Sequence, residues 1–539
     1  MEREILNKIR EKGLLLDRET FQIVEGFEKK EDALYFLDNL ESELGQKIIT
    51  KNVLNGNIGF IKGVIEGLSQ EGREGVEKIS VKLGISLEVK REMRKESEGK
   101  DLGKNAIRSW EEAYKVFYAE TIPDKKLEVK DFVGNFRARY RSLQRILMDH
   151  TELRSNLIGI SKIGNERQGL SIIGIVTEKR ITKNKNLIIK FEDMTGEISG
   201  VVKHDNVELF SKADELMLDD VVGVRASGNR DLLFIHDIIF PDSIKLEKVR
   251  FEEDFNIAFL SDVHCGSDKH LGKEFERFLE WINSEDEDAK KVKYLFFVGD
   301  NVDGVGIFPG QEDRLDLKSM EEQYGLLESY LRRVPKRITM FMCAGQHDAT
   351  RVAEPQPVIS KKYAPGLYEI ENLVLVTNPS LVKFYEKGKE FKVLMYHGAG
   401  VHSFVSEITE LREMKAYQCP AKIFRHCLKR RHLAPSHGDV VYIPNAENDP
   451  LVIEEVPDVL ATGDMHHLDI DNYNGVLIIC SSCWQSTTDF EEKVGHIPDP
   501  SKVPILNLKT REIKVFDFSD EENVEKVIAG GENERKTIL

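Results

Sequence analysis

Five apolar runs between residues 254 and 518 each stop at a short cluster of Asp, His, Gly or Asn, and that repetition limits the fold more than any other feature of the chain. In order, FNIAFL runs into Asp262-Val263-His264, KYLFFV into Gly299-Asp300 with Asp303 close by, and ITMFMCA into Gly345-Gln346-His347-Asp348. FKVLMY then runs into His397-Gly398, and PDVLAT into Gly463-Asp464-Met465-His466. The texture is strand, loop, helix, repeated, as in an α/β fold. In such folds side chains at the strand tips gather in a crevice at one edge of the sheet. A Gly beside each polar residue allows tight turns and close approach of the main chain.

Carboxylates mixed with imidazoles suit Mn, Fe or Zn better than Ca or Mg. Two such ions about 3.5–4 Å apart can clamp a phosphodiester, activate a water and stabilise the displaced oxygen. One carboxylate must then bridge them, and Asp300, the acid of the second cluster, is the natural bridge.

The rest of the chain divides by texture. Residues 1–70 read as a helical N-terminal module, with Leu34, Phe36, Leu37 and Leu40 near helical spacing. Residues 71–125 read as a charged, partly disordered linker, typified by LEVKREMRKESEGKDLGK. In DFVGNFRARYRSLQRIL, Asp131 is the expected N-cap, Phe132, Phe136, Tyr140, Leu143 and Leu147 form an apolar stripe, and Arg137, Arg139, Arg141 and Arg145 fall mostly on other faces. Residues 126–250 join this helix to a small five-stranded barrel with a D-x-T-G turn at Asp193, Thr195 and Gly196. Such barrels bind single strands through aromatic and basic residues. This one offers Phe191 and Phe234 with few basic neighbours, which favours a structural or subunit-contact role. Residues 251–518 hold the five clusters, and 519–539 are a polar tail.

Composition excludes several classes. The 539 residues suggest three or four domains at about 150 residues each. With 40% hydrophobic residues the chain is not wholly disordered. A net charge of −17 makes it a poor stand-alone DNA binder, so a basic patch or a partner must bring any strand. Six cysteines are too sparse for a disulfide framework. MEREILNKIREKG is no signal peptide, and no apolar run reaches the ~18 residues of a membrane helix. A reduced, cytoplasmic protein with no membrane association is expected.

The ordered clusters resemble the calcineurin-like metallophosphoesterase superfamily, which reads D-x-H, G-D, G-N-H-D, H and G-H-x-H. VGDNVDGVGIFPGQEDRL (298–315), GQHDATRVAEPQP (345–357), RHLAPSHG (431–438), VPDVLATGD (456–464) and the stretch SCWQSTTDFEEKVGHIPDPSKVPILNLKT (482–510) look like the small subunit of archaeal family-D DNA polymerases. The barrel and the DFVGNFRARYRSL helix fit the same family. The resemblance implies an α/β fold comprising a helical N-terminal module, an OB-fold β-barrel and a calcineurin-like phosphoesterase β-sandwich flanked by helices. It implies a 3′–5′ exonuclease for proofreading, a DNA 3′ end as substrate and a large catalytic subunit as partner, at the nucleoid. It implies two divalent ions, Mn foremost, with Mg, Fe and Zn as alternatives. The alternative is a non-catalytic scaffold subunit with a degenerate metal site.

Carried onto this sequence, the resemblance puts metal A on Asp262, His264, Asp300 and His466, and metal B on Asp300, Gln346, His397 and Asp464. His347 would protonate the leaving 3′ oxygen or steady the phosphate, with Asp348 orienting it. Two positions depart from the pattern, both on metal B. Gln346 stands for Asn and reaches one methylene further. Asp464 stands for the first His of G-H-x-H, which makes the site harder and more negative and favours Mn or Mg.

Three weaker signals complete the reading. Between Met414 and Gly438 there is no Asp or Glu, but there are Lys415, Lys422, Arg425, Lys429, Arg430 and Arg431. They read as a track for DNA phosphates or a partner contact, with a solvated helix face as the equal alternative. Cys480-x-x-Cys483, Cys419 and Cys427 read as packed thiols rather than a zinc site. His402 and His270 read as ordinary polar residues.

Overall fold

The computed structural model describes residues 113–519, except 123–125, 155 and 495, together with Val524–Ile528 and a few short stretches before residue 50. Residues 1–102 and 103–539 form separate compact units. In the first, residues 33–37 are helical, and strands Leu15–Leu16 and Ile48–Ile49 pair in parallel, so the expected helical module also carries a β contact. The rest of that module, and residues 71–112 of the expected linker, lie outside the described residues.

The linker expectation fails at its end. Tyr114–Tyr118 (β1) is a strand, and it pairs antiparallel with Ser380–Glu386 over Tyr114↔Phe384 to Tyr118↔Ser380. Its alternating YKVFY favours a strand once a partner edge is available.

Helix α1 spans Val129–Leu147. It starts earlier than expected, and Asp131 sits in its first turn, accepting from Glu128 N–H at 2.9 Å rather than capping from outside. Tyr140, Leu143 and Leu147 are buried as expected. Arg139 is buried too, which corrects its placement on an outer face: its Nε lies 2.8 Å from Asp449 Oδ2, and its Nη1 donates to the Pro435 carbonyl. Asn135 Nδ2 and His432 Nε2 reach the same carboxylate oxygen at 3.2 and 3.0 Å. Burial foremost, and the Arg139 charge next, push the His432 ring from 6.5 down to about 4, against the pull of Asp449. The unfolded chain therefore binds a proton that the folded chain refuses. Stability should fall as pH drops from about 6.5 to about 4. Scanning fluorimetry should register this as a falling melting temperature, with a shallower slope in His432→Gln.

The barrel follows, from strands Gln168–Ile181 (β2), Leu187–Glu192 (β3), Glu197–Val202 (β4), Val221–Gly228 (β5) and Leu233–Ile239 (β6), closed in the order β2-β3-β4-β6-β5. The Asp193 carboxylate builds the D-x-T-G turn by accepting from Thr195 N, Thr195 Oγ1 and Gly196 N at 2.7–2.9 Å. Its other oxygen accepts from Ile160 N at 2.8 Å. Phe191 is fully buried in the barrel core, which removes it as a stacking platform.

The phosphoesterase-like part is two facing sheets with helices outside. The first carries Asn256–Leu260 (β7), Val292–Val298 (β8), Thr339–Cys343 (β9) and Leu373–Leu375 (β10), all parallel. Lys502–Asn507 (β16), Ile513–Asp517 (β17) and Val524–Ile528 (β18) extend it antiparallel, the last from within the expected polar tail. The second sheet runs Asp469–Tyr473 (β14), Val476–Cys480 (β15), Val459–Thr462 (β13), Lys389–Met395 (β12), Ser380–Glu386 (β11) and β1. Alternate residues of the apolar runs serve different layers. Ile257, Phe259, Phe296, Val298 and Phe341 meet Val393, Met395, Val459 and Ala461 between the sheets. Ala258, Leu260, Leu295, Phe297 and Met342 face the helices Gly272–Ile282 (α2) and Met320–Leu331 (α3). Leu394, Leu460 and Ile478 face Pro420–Arg430 (α4). Burial on both faces is why these strands read as unbroken apolar runs.

From Lys422 to Arg431 the basic run is engaged inside this fold. Lys422 and Arg425 pair with Asp471 at 2.8 and 2.5 Å, Lys429 pairs with Glu215, and Arg430 pairs with Asp220 at 2.9 Å. Arg431 donates to the Ile453 and Glu454 carbonyls at 2.6 Å. Arg430 and Arg431 are buried. These side chains clamp the barrel region to the second sheet. Arg430 and Arg431 are thereby withdrawn from any phosphate track or solvated face, while Lys422, Arg425 and Lys429 are half-buried and paired with carboxylates.

Candidate metal centre

The five clusters converge. The parallel strands β7, β8 and β9 end at one edge of the first sheet, and the parallel β12 and β13 end at one edge of the second. Asp262, Asp300, Gln346, His397 and Asp464 each lie within three residues of such an end. The main chain turns sharply there: Asp262, His264, Asp300, Asp464 and His466 all adopt positive φ, between 46° and 66°. Left-handed backbone at non-glycine residues is strained and clusters at functional sites. Gly345 has a spatial reason, since a Cβ there would strike Asp300 and His397.

Two groups share Asp262. Asp262, His264 and His466 form one, and Asp262, Asp300 and His397 form the other, with one ligand atom per residue, all within 4.8 Å of each other in each group. His264 Nε2 and His466 Nε2 are 3.1 Å apart, and His466 Nε2 is 3.4 Å from Asp262 Oδ1. Each ring gives its other nitrogen to a carboxylate: His264 Nδ1 to Asp303 at 3.1 Å and His466 Nδ1 to Glu491 at 2.9 Å. The two Nε2 atoms therefore face one another beside Asp262, where a cation would take both as ligands. Such carboxylate–histidine pairs orient metal ligands.

On the other side, His397 Nδ1 donates to the Val298 carbonyl at 2.7 Å, and its Nε2 lies 3.2 Å from Asp300 Oδ2 with no hydrogen-bond partner. Gln346 Nε2 donates to Asp464 Oδ1 at 2.8 Å, which leaves its buried Oε1 without a partner. Asp464 N–H donates to both Asp262 oxygens, at 3.0 and 3.2 Å. Burial would raise the Asp300 carboxyl, but His397 and His347 overcome it and hold the group far below the usual carboxylate range. The acidic and imidazole donors, and the two unpartnered buried atoms, fit divalent cations.

Two expectations need correction. Asp348 does not orient His347. Its Oδ2 accepts from Asn301 N, Asn301 Nδ2 and Gly345 N at 2.9–3.2 Å, and its Oδ1 accepts from Tyr324 at 2.8 Å. It props the turns that carry Asp300 and Gln346, because adjacent side chains point apart. Burial, then the Asp300 charge, raise its carboxyl to about 6. His347 is instead oriented by the Asp303 carbonyl, to which its Nδ1 donates. The second correction is His402, whose Nε2 lies 3.0 Å from Asp464 Oδ2. Sequence reasoning also missed Glu491 as a partner of His466, and nothing local to it signals that role. Asp303 was visible only as an acid near the second cluster. Asp303→Ala should weaken metal binding about 10- to 100-fold, measurable by titration calorimetry with Mn²⁺.

Residues 257–469 match the family of DNA polymerase alpha/epsilon B subunits. The DNA polymerase II small subunit of Methanothermobacter thermautotrophicus is 37% identical over 73% of this chain and 80% of its own length. That of Archaeoglobus fulgidus is 37% identical over 70% of this chain and 75% of its own. For the Pyrococcus furiosus protein the figures are 37%, 72% and 64%. A solved archaeal phosphodiesterase aligns with 51% of this chain and 100% of its own at 13% identity, and its TM-score of 0.24 is too low to argue from. No helix among the described residues is long and apolar enough to cross a membrane. With its two facing sheets and its closed five-stranded barrel, the chain belongs to the family of archaeal DNA polymerase II, or family-D, small subunits.

Proposed function

We propose that the chain is the 3′–5′ exonuclease subunit of a two-subunit replicative DNA polymerase. It hydrolyses the 3′-terminal phosphodiester of DNA with two divalent ions, manganese foremost. The observation that carries this reading is the convergence of the buried Asp262, His264, Asp300 and His397 with the partly buried His466 in a chain of this family. Asp262, His264, Asp300 and His466 would hold one ion, and Asp300, Gln346, His397 and Asp464 the other. When bound, the ions neutralise the phosphate and activate the attacking water.

The remaining work falls to His347. Its N–H donates to Asp300 Oδ1 at 2.9 Å, which sets the ring beside the shared carboxylate. With Nδ1 on the Asp303 carbonyl, Nε2 is the nitrogen left to act, 3.9 Å from Asp300 Oδ2. Burial opposes the charged ring, but Asp300 and the Asp303 carbonyl prevail and hold it above its ordinary value. A proton carried on Nε2 would then be placed for the leaving 3′ oxygen.

The net charge of −17 and the internal use of the basic run support delivery of the strand by a large catalytic subunit, in the cytoplasm beside the chromosome. The test is release of mononucleotides from a 3′-labelled single strand by the purified chain with Mn²⁺, abolished by chelation. His347→Ala should slow release about 10²- to 10⁴-fold while the bound metal stays at the wild-type level. No digestion at high enzyme, with Mn²⁺ and the large subunit present, would leave the scaffold reading in its place.

A further inference from the structure

We propose that His402 is the positioning residue of the second ion site: it ties off one oxygen of Asp464, so that the other stays turned toward His397 and Gln346. The inference rests on the two-ion reading above. Asp464 is gripped at three points. Its N–H donates to Asp262 at 3.0 and 3.2 Å, its Oδ1 accepts from Gln346 Nε2 at 2.8 Å, and its Oδ2 faces His402 Nε2 at 3.0 Å. Oδ1 lies 3.9 Å from His397 Nε2. His397 Nε2 and Gln346 Oε1 are both buried without hydrogen-bond partners. Asp464 Oδ1 thus sits between the Gln346 amide and the His397 imidazole, and of these groups only the carboxylate has a second oxygen that can swap with the first.

His402 removes that freedom. It opens the helix His402–Glu407, which follows the loop carrying His397, so one stretch of chain supplies both the donor His397 and the hand that holds Asp464. The far ring nitrogen, Nδ1, is 3.5 Å from the Tyr417 hydroxyl, so the imidazole is steadied at both ends. The His402 side chain is 53% exposed, so its removal opens no core cavity. An imidazole at one remove, holding a carboxylate, thereby does the orienting work at the position where the superfamily pattern has a histidine. Partners of this kind set metal affinity by about 10- to 100-fold.

The experiment uses the full chain, stripped with a chelator and titrated with Mn²⁺. Metal content is read by plasma mass spectrometry, affinity by calorimetry and fold by far-ultraviolet circular dichroism. The wild type should take up two equivalents. His402→Ala should keep the wild-type spectrum and bind the second equivalent about 10- to 100-fold more weakly. His402→Gln, which can present an amide N–H to Asp464, should recover most of the affinity. Two equivalents at unchanged affinity in His402→Ala would overturn the role of His402 and leave the two-ion reading standing. A wild-type chain that takes up only one equivalent would overturn both.

Discussion

Replacing Asp300 by Ala is expected to abolish the proposed nuclease activity, by on the order of 10³-fold or more, because the several kcal/mol that metal ions contribute to phosphoester cleavage would be lost together. In the proposed two-ion site Asp300 is the carboxylate assigned to both ions, beside Asp262, which the two ligand groups share. Its Oδ2 is 3.2 Å from His397 Nε2, and its Oδ1 accepts from the main chain of His347. One substitution would therefore disturb His397, the carboxylate assigned to both ions and the proposed proton donor at once. The discriminating measurement is thermal. Mn²⁺ should raise the melting temperature of the wild type, since a ligand that binds only the folded state stabilises it by mass action. The same addition should leave Asp300→Ala unmoved. A variant that loses activity yet retains the full metal-induced rise would show that Asp300 serves chemistry without holding an ion.

Replacing Arg139 by Met is expected to be the most destabilising single change outside the site, costing about 3–5 kcal/mol. Asp449 is 2% exposed and is held well below the usual carboxylate range because Arg139 and His432 outweigh its burial. Without the guanidinium, an ionised group is left in the interior with His432 and Asn135 as insufficient company, and the Pro435 carbonyl loses its donor. Chemical denaturation should show α1 detaching first, seen as early protease cleavage between residues 126 and 150. The double change Arg139→Met with Asp449→Leu should regain much of the loss, because a buried ion pair exchanged for apolar groups of similar volume is often neutral.

What was legible in the sequence was what is local. Each strand and its terminal cluster lie within about a dozen residues, so the apolar run and the acid or imidazole at its end could be read together. The D-x-T-G turn is local too, since one carboxylate takes three donors from the next three residues. What escaped depends on partners far along the chain. Arg430 looked free because no acid lies near it in sequence, and its partner Asp220 is 210 positions away. Glu491 meets His466 only because the helix Asp489–Val494 folds back over the strand tips. His402 looked ordinary because its meaning lies in Asp464, 62 positions on. Asp348 was misassigned by the opposite error, adjacency taken for contact. The strand at Tyr114–Tyr118 was hidden by the charged residues before it, which dominated any window long enough to average.

That strand has a practical consequence for anyone trimming the chain. A shortened version beginning at residue 126 keeps the barrel and every ligand, and by composition it looks like the natural cut. It would also strip the outermost ribbon from the second sheet and bare the hydrogen-bonding groups of Ser380–Glu386 along their length. Open ribbons of that kind recruit copies of themselves. Such a truncation should therefore self-associate on purification, whereas one starting ahead of Ala113 should stay monodisperse.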